Sequence, residues 1–283
     1  MSKKYEKSDI KHYAKMLRYP NGMVDIMAST EADFGPKGYE AAEDYSRPIC
    51  GVRERSERTK TTDRPQALAE DIERSMRRAR AKVRRMALSN DFQYFVTLTL
   101  DQMMVDRYDM GAVVKKLNAW CSNMVQRKGL RYILVPERHK DGAIHFHGFF
   151  NAALPVEDSG TIRLPGGKKP RRPRSDKQRA EWLAAGGRVV YNLPGWPLGY
   201  TTAMELYGEY PAAVAYVCKY IGKAGEKPGG RWYYSGGDLK EPAVEYLEMS
   251  PAELANAYPG KAFVFYPPGK QMAVVNGLYL DEY

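Results

Sequence analysis

At 283 residues the chain is long enough for one large or two modest domains with a sizeable core, which excludes a peptide or a disulfide-held miniprotein. Hydrophobic residues at 43% and charged residues at 28% are those of an ordinary folded protein, and no apolar run approaches the ~20 residues of a spanning helix, so wholesale disorder and a membrane-embedded body are excluded as well. Lys and Arg number 44 against 34 Asp and Glu, and the net charge of +10 favours an anionic partner, nucleic acid before a membrane surface, for a protein expected in the cytoplasm.

Residues 1–62 are polar, broken by Gly22, Gly35, Pro36, Gly38 and Pro48, with charges crowded between Arg53 and Lys60; they are expected to form an irregular arm. From Asp63, a suitable N-cap with Pro65 just inside, apolar residues recur at Leu68, Ile72, Met76, Ala79, Val83 and Met86, which predicts a basic amphipathic helix over 63–90. Its other faces carry Arg74, Arg77, Arg78, Arg80, Lys82, Arg84 and Arg85. Arg77, Arg78, Arg84 and Arg85 are candidates for phosphate contacts, against the alternative of a solvated basic face. Phe92–Leu100 alternates Val96, Leu98 and Leu100 with Phe95, Thr97 and Thr99, as a central strand should, and 110–127 reads as a helix with a core stripe of Val113, Leu117, Trp120 and Met124.

A β-hairpin is predicted over 131–150, followed by a basic insertion within 151–187. There the run from Arg163 to Arg179 holds eight basic residues and one acidic, and it reads as a mobile loop. Lys168, Lys169, Arg171, Arg172 and Arg174 make it a candidate clamp on a nucleic-acid backbone, with a solvated insertion as the alternative. Short strands at Arg188–Leu193 and Tyr200–Leu206 lead to a helix beginning near Pro211. After Gly225 comes an aromatic, irregular stretch, then a short helix capped by Ser250, Pro251 and Glu253 and a β-like pair between Phe263 and Tyr279. Cys50, Cys121 and Cys218 lie far apart with no CxxC pair and read as reduced, structural thiols.

Two segments carry chemistry. In RYILVPERHKDGAIHFHGFF a three-residue loop at Lys140, Asp141 and Gly142 would pair His139 with Ala143, Glu137 with His145 and Val135 with His147, so that Glu137, His145 and His147 share a face. A two-residue loop would send Glu137 to the other side. Two imidazoles and a carboxylate form a three-ligand open site for a divalent ion, and with no thiolate nearby Mg²⁺ or Mn²⁺ is favoured over zinc. Strand histidines that merely satisfy hydrogen bonds are the alternative. By parity His139 also lies on this face, as a fourth ligand, a supporting partner or an exposed hairpin residue. In YPAAVAYVCKYIGKAG, Tyr216, Lys219, Tyr220 and Lys223 fall on one helix face and Val214, Val217, Cys218 and Ile221 on the opposite one. A packed tyrosine pair with solvated lysines is the bland reading. A phenol titrating near ~10 needs help to act as a nucleophile, and a metal with a neighbouring lysine would give it.

The motifs FVTLTLD, HFHGFF and YVCKYIGK, in that order over roughly residues 91–240, resemble those of HUH endonucleases, and the paired tyrosines resemble two-tyrosine rolling-circle replication initiators of small single-stranded DNA phages, plasmids and prophage elements. The resemblance implies an α/β (α+β) fold, ferredoxin- or RRM-like, in which a central antiparallel sheet with flanking helices carries the HxH strand and the tyrosine helix lies across it, with the endonuclease domain over 91–230 and a C-terminal extension over 231–283. It implies His145, His147 and Glu137 as metal ligands and Tyr216 or Tyr220 as the nucleophile that nicks a single-stranded origin in a bacterial host, leaving a 5′-phosphotyrosine and a 3′-OH primer, and that rejoins the strand at termination. Lys219 and Lys223 match the motif lysine. The chain has no GxxxxGK[ST] phosphate loop, so a host helicase and a host DNA polymerase are the implied partners. A mobilisation relaxase or transposase of the same superfamily, a non-catalytic DNA-binding protein and a water-using phosphoesterase are the alternatives.

Overall fold

The computed structural model describes residues 13–30, 65–139, 141–206, 210–223, 227–267 and 269–279. In chain order its elements are β1 (Tyr13–Arg18), β2 (Met23–Ser29), α1 (Pro65–Leu88), β3 (Tyr94–Thr99), α2 (Met110–Lys128), β4 (Tyr132–Arg138), β5 (Ile144–Phe150), β6 (Glu157–Arg163), α3 (Asp176–Ala184), β7 (Arg188–Asn192), β8 (Thr201–Glu205), α4 (Tyr210–Tyr220), β9 (Tyr234–Gly236), β10 (Ala243–Glu248), α5 (Pro251–Ala257), β11 (Phe263–Phe265) and β12 (Met272–Tyr279). The chain divides into two units, one of residues Gln66–Glu241 and one built from its two ends. No helix among the described residues is long and apolar enough to cross a membrane.

The larger unit holds a seven-stranded antiparallel sheet in the order β6-β7-β8-β3-β5-β4-β9, with β3 at its centre. Alternation along β3 buries Val96 and Leu98 in the core beneath the sheet, where they meet Val113, Leu117 and Trp120 of α2, and leaves Phe95, Thr97 and Thr99 on the opposite face. α2 starts and stops where its ends are satisfied. Asp109 accepts hydrogen bonds from the amides of Gly111 (2.8 Å) and Ala112 (3.2 Å), and Gly129 closes the helix in the left-handed conformation. Trp120 packs edge-on against Trp196 and donates its indole N–H to the Gly195 carbonyl at 2.8 Å, which pins the helix to the loop after β7.

β4 and β5 pair in the three-residue-loop register, with Glu137 opposite His145 and Val135 opposite His147. His139 N–H donates to Ala143 O at 2.8 Å and Gly142 N–H to His139 O at 2.9 Å, and Gly142 supplies the positive φ of 86° that closes the turn. Gly148, which follows the second histidine, is required for a different reason. A Cβ there would stand 1.8 Å from the Ile133 carbonyl oxygen of β4.

The smaller unit is a five-stranded antiparallel sheet, β10-β1-β2-β12-β11, with α5 packed on β2 and β12 through the fully buried Leu254. The capping box predicted from Ser250 and Glu253 is present. Buried Asp25 accepts from Tyr19 Oη at 2.6 Å and from the Gly277 amide at 2.8 Å, which fastens the bulge between Val275 and Leu278 in β12.

Several expectations need correction. The segment read as an irregular arm contains β1 and β2, whose sheet partners β10 and β12 lie more than 200 positions away. The basic run 163–179 is not a free loop. Ile162 and Arg171 exchange two backbone hydrogen bonds, and α3 begins at Asp176 behind the Ser175 cap. Residues 234–236, in the stretch read as irregular, form β9 at the sheet edge, and β10 was not anticipated. Asp63 as an N-cap, Cys50 and the charge cluster 53–60 lie outside the described residues.

Candidate metal and tyrosine site

The site is built on the face of the large sheet that turns away from α2. β5 alternates about Phe146, fully buried beneath, and so projects His145 and His147 from the other face, where the hairpin register adds Glu137. His145 Nε2 lies 3.0 Å and His147 Nε2 2.9 Å from the same oxygen, Glu137 Oε2. One ligand atom from each residue lies within 4.8 Å of the others, the donor arrangement of a mononuclear metal centre. Thr97 of β3, paired with His147 across the strands, places its Oγ1 3.0 Å from His147 Nδ1. A proton on Nδ1 donated to Thr97 leaves the Nε2 lone pair for a ligand bond.

Electrostatics favour the ligating protonation states. Burial, joined by the charge of His145, pushes the His147 pKa down to about 4 against the pull of Glu137, so the ring is neutral at pH 7. Burial raises the Glu137 carboxyl, but hydrogen bonds from Lys223 and His145 and the charges of both histidines outweigh it and hold the group below the ordinary carboxylate value. Glu137 is 8% exposed, and a carboxylate buried with two imidazoles and an ammonium around it is a donor set that fits a divalent cation.

α4 lies over this face, held by apolar contacts and by a cap. Val214, Val217 and Ile221 are buried, and the Arg80 guanidinium of α1 donates to the Ile221 carbonyl at 2.8 and 3.2 Å. Arg80, read from sequence as part of a basic face, is thus a helix cap. On the other side of α4 the Tyr220 ring stacks on His147 with centroids 4.3 Å apart, and the Tyr216 ring meets Tyr220 at 5.1 Å and Phe95 at 5.8 Å. The Tyr220 hydroxyl donates to that of Tyr216. Burial and this hydrogen bond raise the Tyr220 phenol above its ordinary value.

The two lysines part company. The helix ends at Tyr220, and a turn closed by Lys223 N–H on Tyr220 O carries Lys223 back to donate to Glu137 Oε1, its ammonium 5.2 Å from the Tyr220 ring centre. Lys219 is exposed and makes no ion pair among the described residues.

His139 stands at the rim, 61% exposed, with its ring 5.7 Å from that of His145 and its Nδ1 3.3 Å from Asp141. It is not among the three grouped ligands. Lys168, Lys169, Arg171, Arg172 and Arg174 are at least partly exposed, as are Arg77 and Arg78, whereas Arg84 and Arg85 are half-buried. Beyond Tyr216 a cleft of about 530 Å³ is lined by Phe95, Arg163, Arg188 and Glu205. Thr97 and Arg163 escaped the sequence reading. Alternation placed Thr97 on this face, but only the β3–β5 register sets it opposite His147.

No curated protein and no solved structure gives a match to the chain. Residues 93–225, the stretch that holds the Glu137–His145–His147 group and both tyrosines, match the ORF2-type family model of replication-associated proteins, which supports a replication-associated role for this part of the chain.

Proposed function

We propose that the protein is a rolling-circle replication initiator that nicks and rejoins single-stranded DNA by tyrosine transesterification, as an HUH endonuclease of the two-tyrosine type. The observation that carries this reading is the stacking of Tyr220 on His147, which puts a phenol against a three-ligand group. A divalent ion held by Glu137, His145 and His147 would polarise a non-bridging oxygen of the scissile phosphate. The phenol oxygen forms a bond to phosphorus, the P–O3′ bond breaks, the phenolic proton is given up and the departing O3′ takes one on. The hydroxyl contact from Tyr220 to Tyr216 gives the proton a way to the exposed side of α4. Lys223 keeps Glu137 ionised and sets a positive charge beside the Tyr220 ring, where it offsets charge on the phenolate and phosphate. The second phenol can then attack the ester and reseal the strand. The partners are a single-stranded origin and a host helicase and polymerase in the bacterial cytoplasm, and the exposed arginines and lysines around 168–174 and along α1 would hold the strand.

Two nitrogens and one carboxylate oxygen suit Mn²⁺ better than Mg²⁺, which prefers oxygen ligands and keeps its waters. The test is incubation with labelled single-stranded oligonucleotides from the replicon that carries the gene, in Mn²⁺, Mg²⁺ or EDTA, followed by denaturing gels. A metal-dependent, SDS-resistant protein–DNA adduct, lost in the Tyr216→Phe, Tyr220→Phe double variant, is the expected result. Cleavage without an attached protein would instead assign a water-using phosphoesterase, and binding without either would leave a DNA-binding protein.

A further inference from the structure

Along β3 the site has an order. Phe95 meets Tyr216, Thr97 meets His147, and Thr99 lines a separate cleft of about 330 Å³ on the side of the histidines away from the tyrosines. The walls of that cleft include Arg107, His139 and Asp141, from the loop after β3 and from the hairpin turn. Arg107 is poorly satisfied where it stands. Its Nε is buried and has no hydrogen-bond partner, its Nη2 reaches Tyr108 Oη at 3.1 Å, and its contact with Asp141 Oδ2 is long at 3.4 Å. Asp141 is committed elsewhere, since Oδ1 takes the Ala143 amide at 3.0 Å and lies 3.3 Å from His139 Nδ1. A guanidinium with an idle Nε–H at the wall of a cleft is half of a fork looking for a second acceptor. Beside it the loop exposes apolar side chains with no core to join, Met103 at 89% and Tyr108 at 47%. A cation next to exposed flat or flexible apolar groups is the surface that holds a phosphate and its unstacked base.

We infer that the Arg107 cleft is a second subsite for single-stranded DNA, in which the Arg107 fork takes a backbone phosphate beside the metal group on the side away from the tyrosines. This rests on the single-stranded DNA reading above but not on the tyrosine chemistry. Arg107 is held at the cleft wall by the backbone bond from Ile144 N to Arg107 O at 3.1 Å, so the start of β5 and the proposed phosphate contact share one anchor.

The experiment uses the full chain in EDTA, where no cleavage competes, and fluorescein-labelled dT12 as the probe. Arg107→Ala is expected to weaken dT12 binding roughly three- to tenfold and to lower the slope of log K against log salt by about 0.7, the contribution of one phosphate on a single strand. Arg107→Lys should keep the slope. In the unaltered protein the Nε–H resonance of Arg107, assigned by its loss in Arg107→Lys, should shift on addition of dT12. Asp141→Asn removes the competing acceptor and should leave binding equal or tighter. An unshifted resonance, an unchanged salt slope in Arg107→Ala, or a loss in Asp141→Asn as large as that in Arg107→Ala would each reduce Arg107 to a bracket of the hairpin and overturn the inference. Binding through Arg107 without any covalent adduct would keep this subsite and remove the tyrosine mechanism, so the two failures are distinct.

Discussion

Lys223 and Glu137, 86 positions apart, are joined by a hydrogen bond to Oε1, while Oε2 of the same carboxylate faces both histidine nitrogens. The carboxylate thus has one oxygen for the tyrosine helix and one for the ligand group. Lys223→Ala is expected to lower adduct formation about a hundredfold, the usual cost of removing one preorganised charge from a reacting centre. Lys219→Ala, which removes an exposed ammonium, should change it less than about threefold. Single-turnover gels on the two variants separate the motif lysines that sequence alone treats as equal.

The tyrosines are also unequal. Tyr220 stacks on His147, while Tyr216 lies farther out on Phe95 and accepts the Tyr220 hydroxyl. Tyr220→Phe should abolish the first adduct. Tyr216→Phe should slow it up to about tenfold, the worth of one hydrogen bond, and should block the rejoining step. Equal losses in both variants, read by adduct formation and by strand transfer to an added 3′-OH oligonucleotide, would show that either phenol can begin.

Thr97 acts through His147. With its hydroxyl 3.0 Å from Nδ1 it fixes ring orientation, and loss of such a partner commonly costs about 10- to 100-fold in metal affinity. Thr97→Val should weaken Mn²⁺ binding by about that factor while leaving dT12 binding in EDTA unchanged. Calorimetric titration with Mn²⁺ measures the first and anisotropy the second.

How much of this was legible depended on whether contacts were local. The histidine hairpin was readable because a Gly-ended three-residue loop sets a register, and the register sets the face. The same rule applies to Tyr19-Pro20-Asn21-Gly22-Met23, where Tyr19 N–H donates to Met23 O at 2.9 Å and Gly22 N–H to Tyr19 O at 3.0 Å, a turn matching that at 139–143. That signal was present and passed over, because the glycines and prolines around it suggested irregularity. The sheet it belongs to was beyond reach for a different reason, since β1 and β10 offer each other nothing until the chain ends meet. Likewise the i, i+7 relation that put Lys223 on the tyrosine face assumed a helix that stops three residues earlier; a turn, not helical spacing, delivers the ammonium.

The thiols are expected to be inert. Burial pushes Cys121 up to about 12, against a hydrogen bond with Tyr132, and pushes Cys218 up to about 11 against the nearby arginines. A raised pKa depletes the thiolate at every pH below it, so neither residue gains reactivity between about pH 7 and 9. In a Cys50→Ser variant, a disulfide reagent at pH 8 should label nothing on the native protein and both thiols after denaturation.

Gly148 gives the last prediction, and it concerns how tightly the metal strand is held. A Cβ at this position meets the Ile133 carbonyl oxygen at 1.8 Å and the Leu134 Cα at 2.9 Å. Both are backbone atoms of the neighbouring strand, so no rotamer change can relieve the clash, and the strands must separate where Val135 faces His147 one residue along. Gly148→Ala should therefore cost about 3 kcal/mol or more and lower Tm by roughly 6–12 °C. Because the displaced strand carries both imidazoles, the folded fraction should also bind Mn²⁺ more weakly, which distinguishes a shifted site from a merely less stable protein. Thermal melting followed by Mn²⁺ titration well below Tm reads both effects, and an unchanged Mn²⁺ affinity would mean that the hairpin yields at β4 rather than at the histidines.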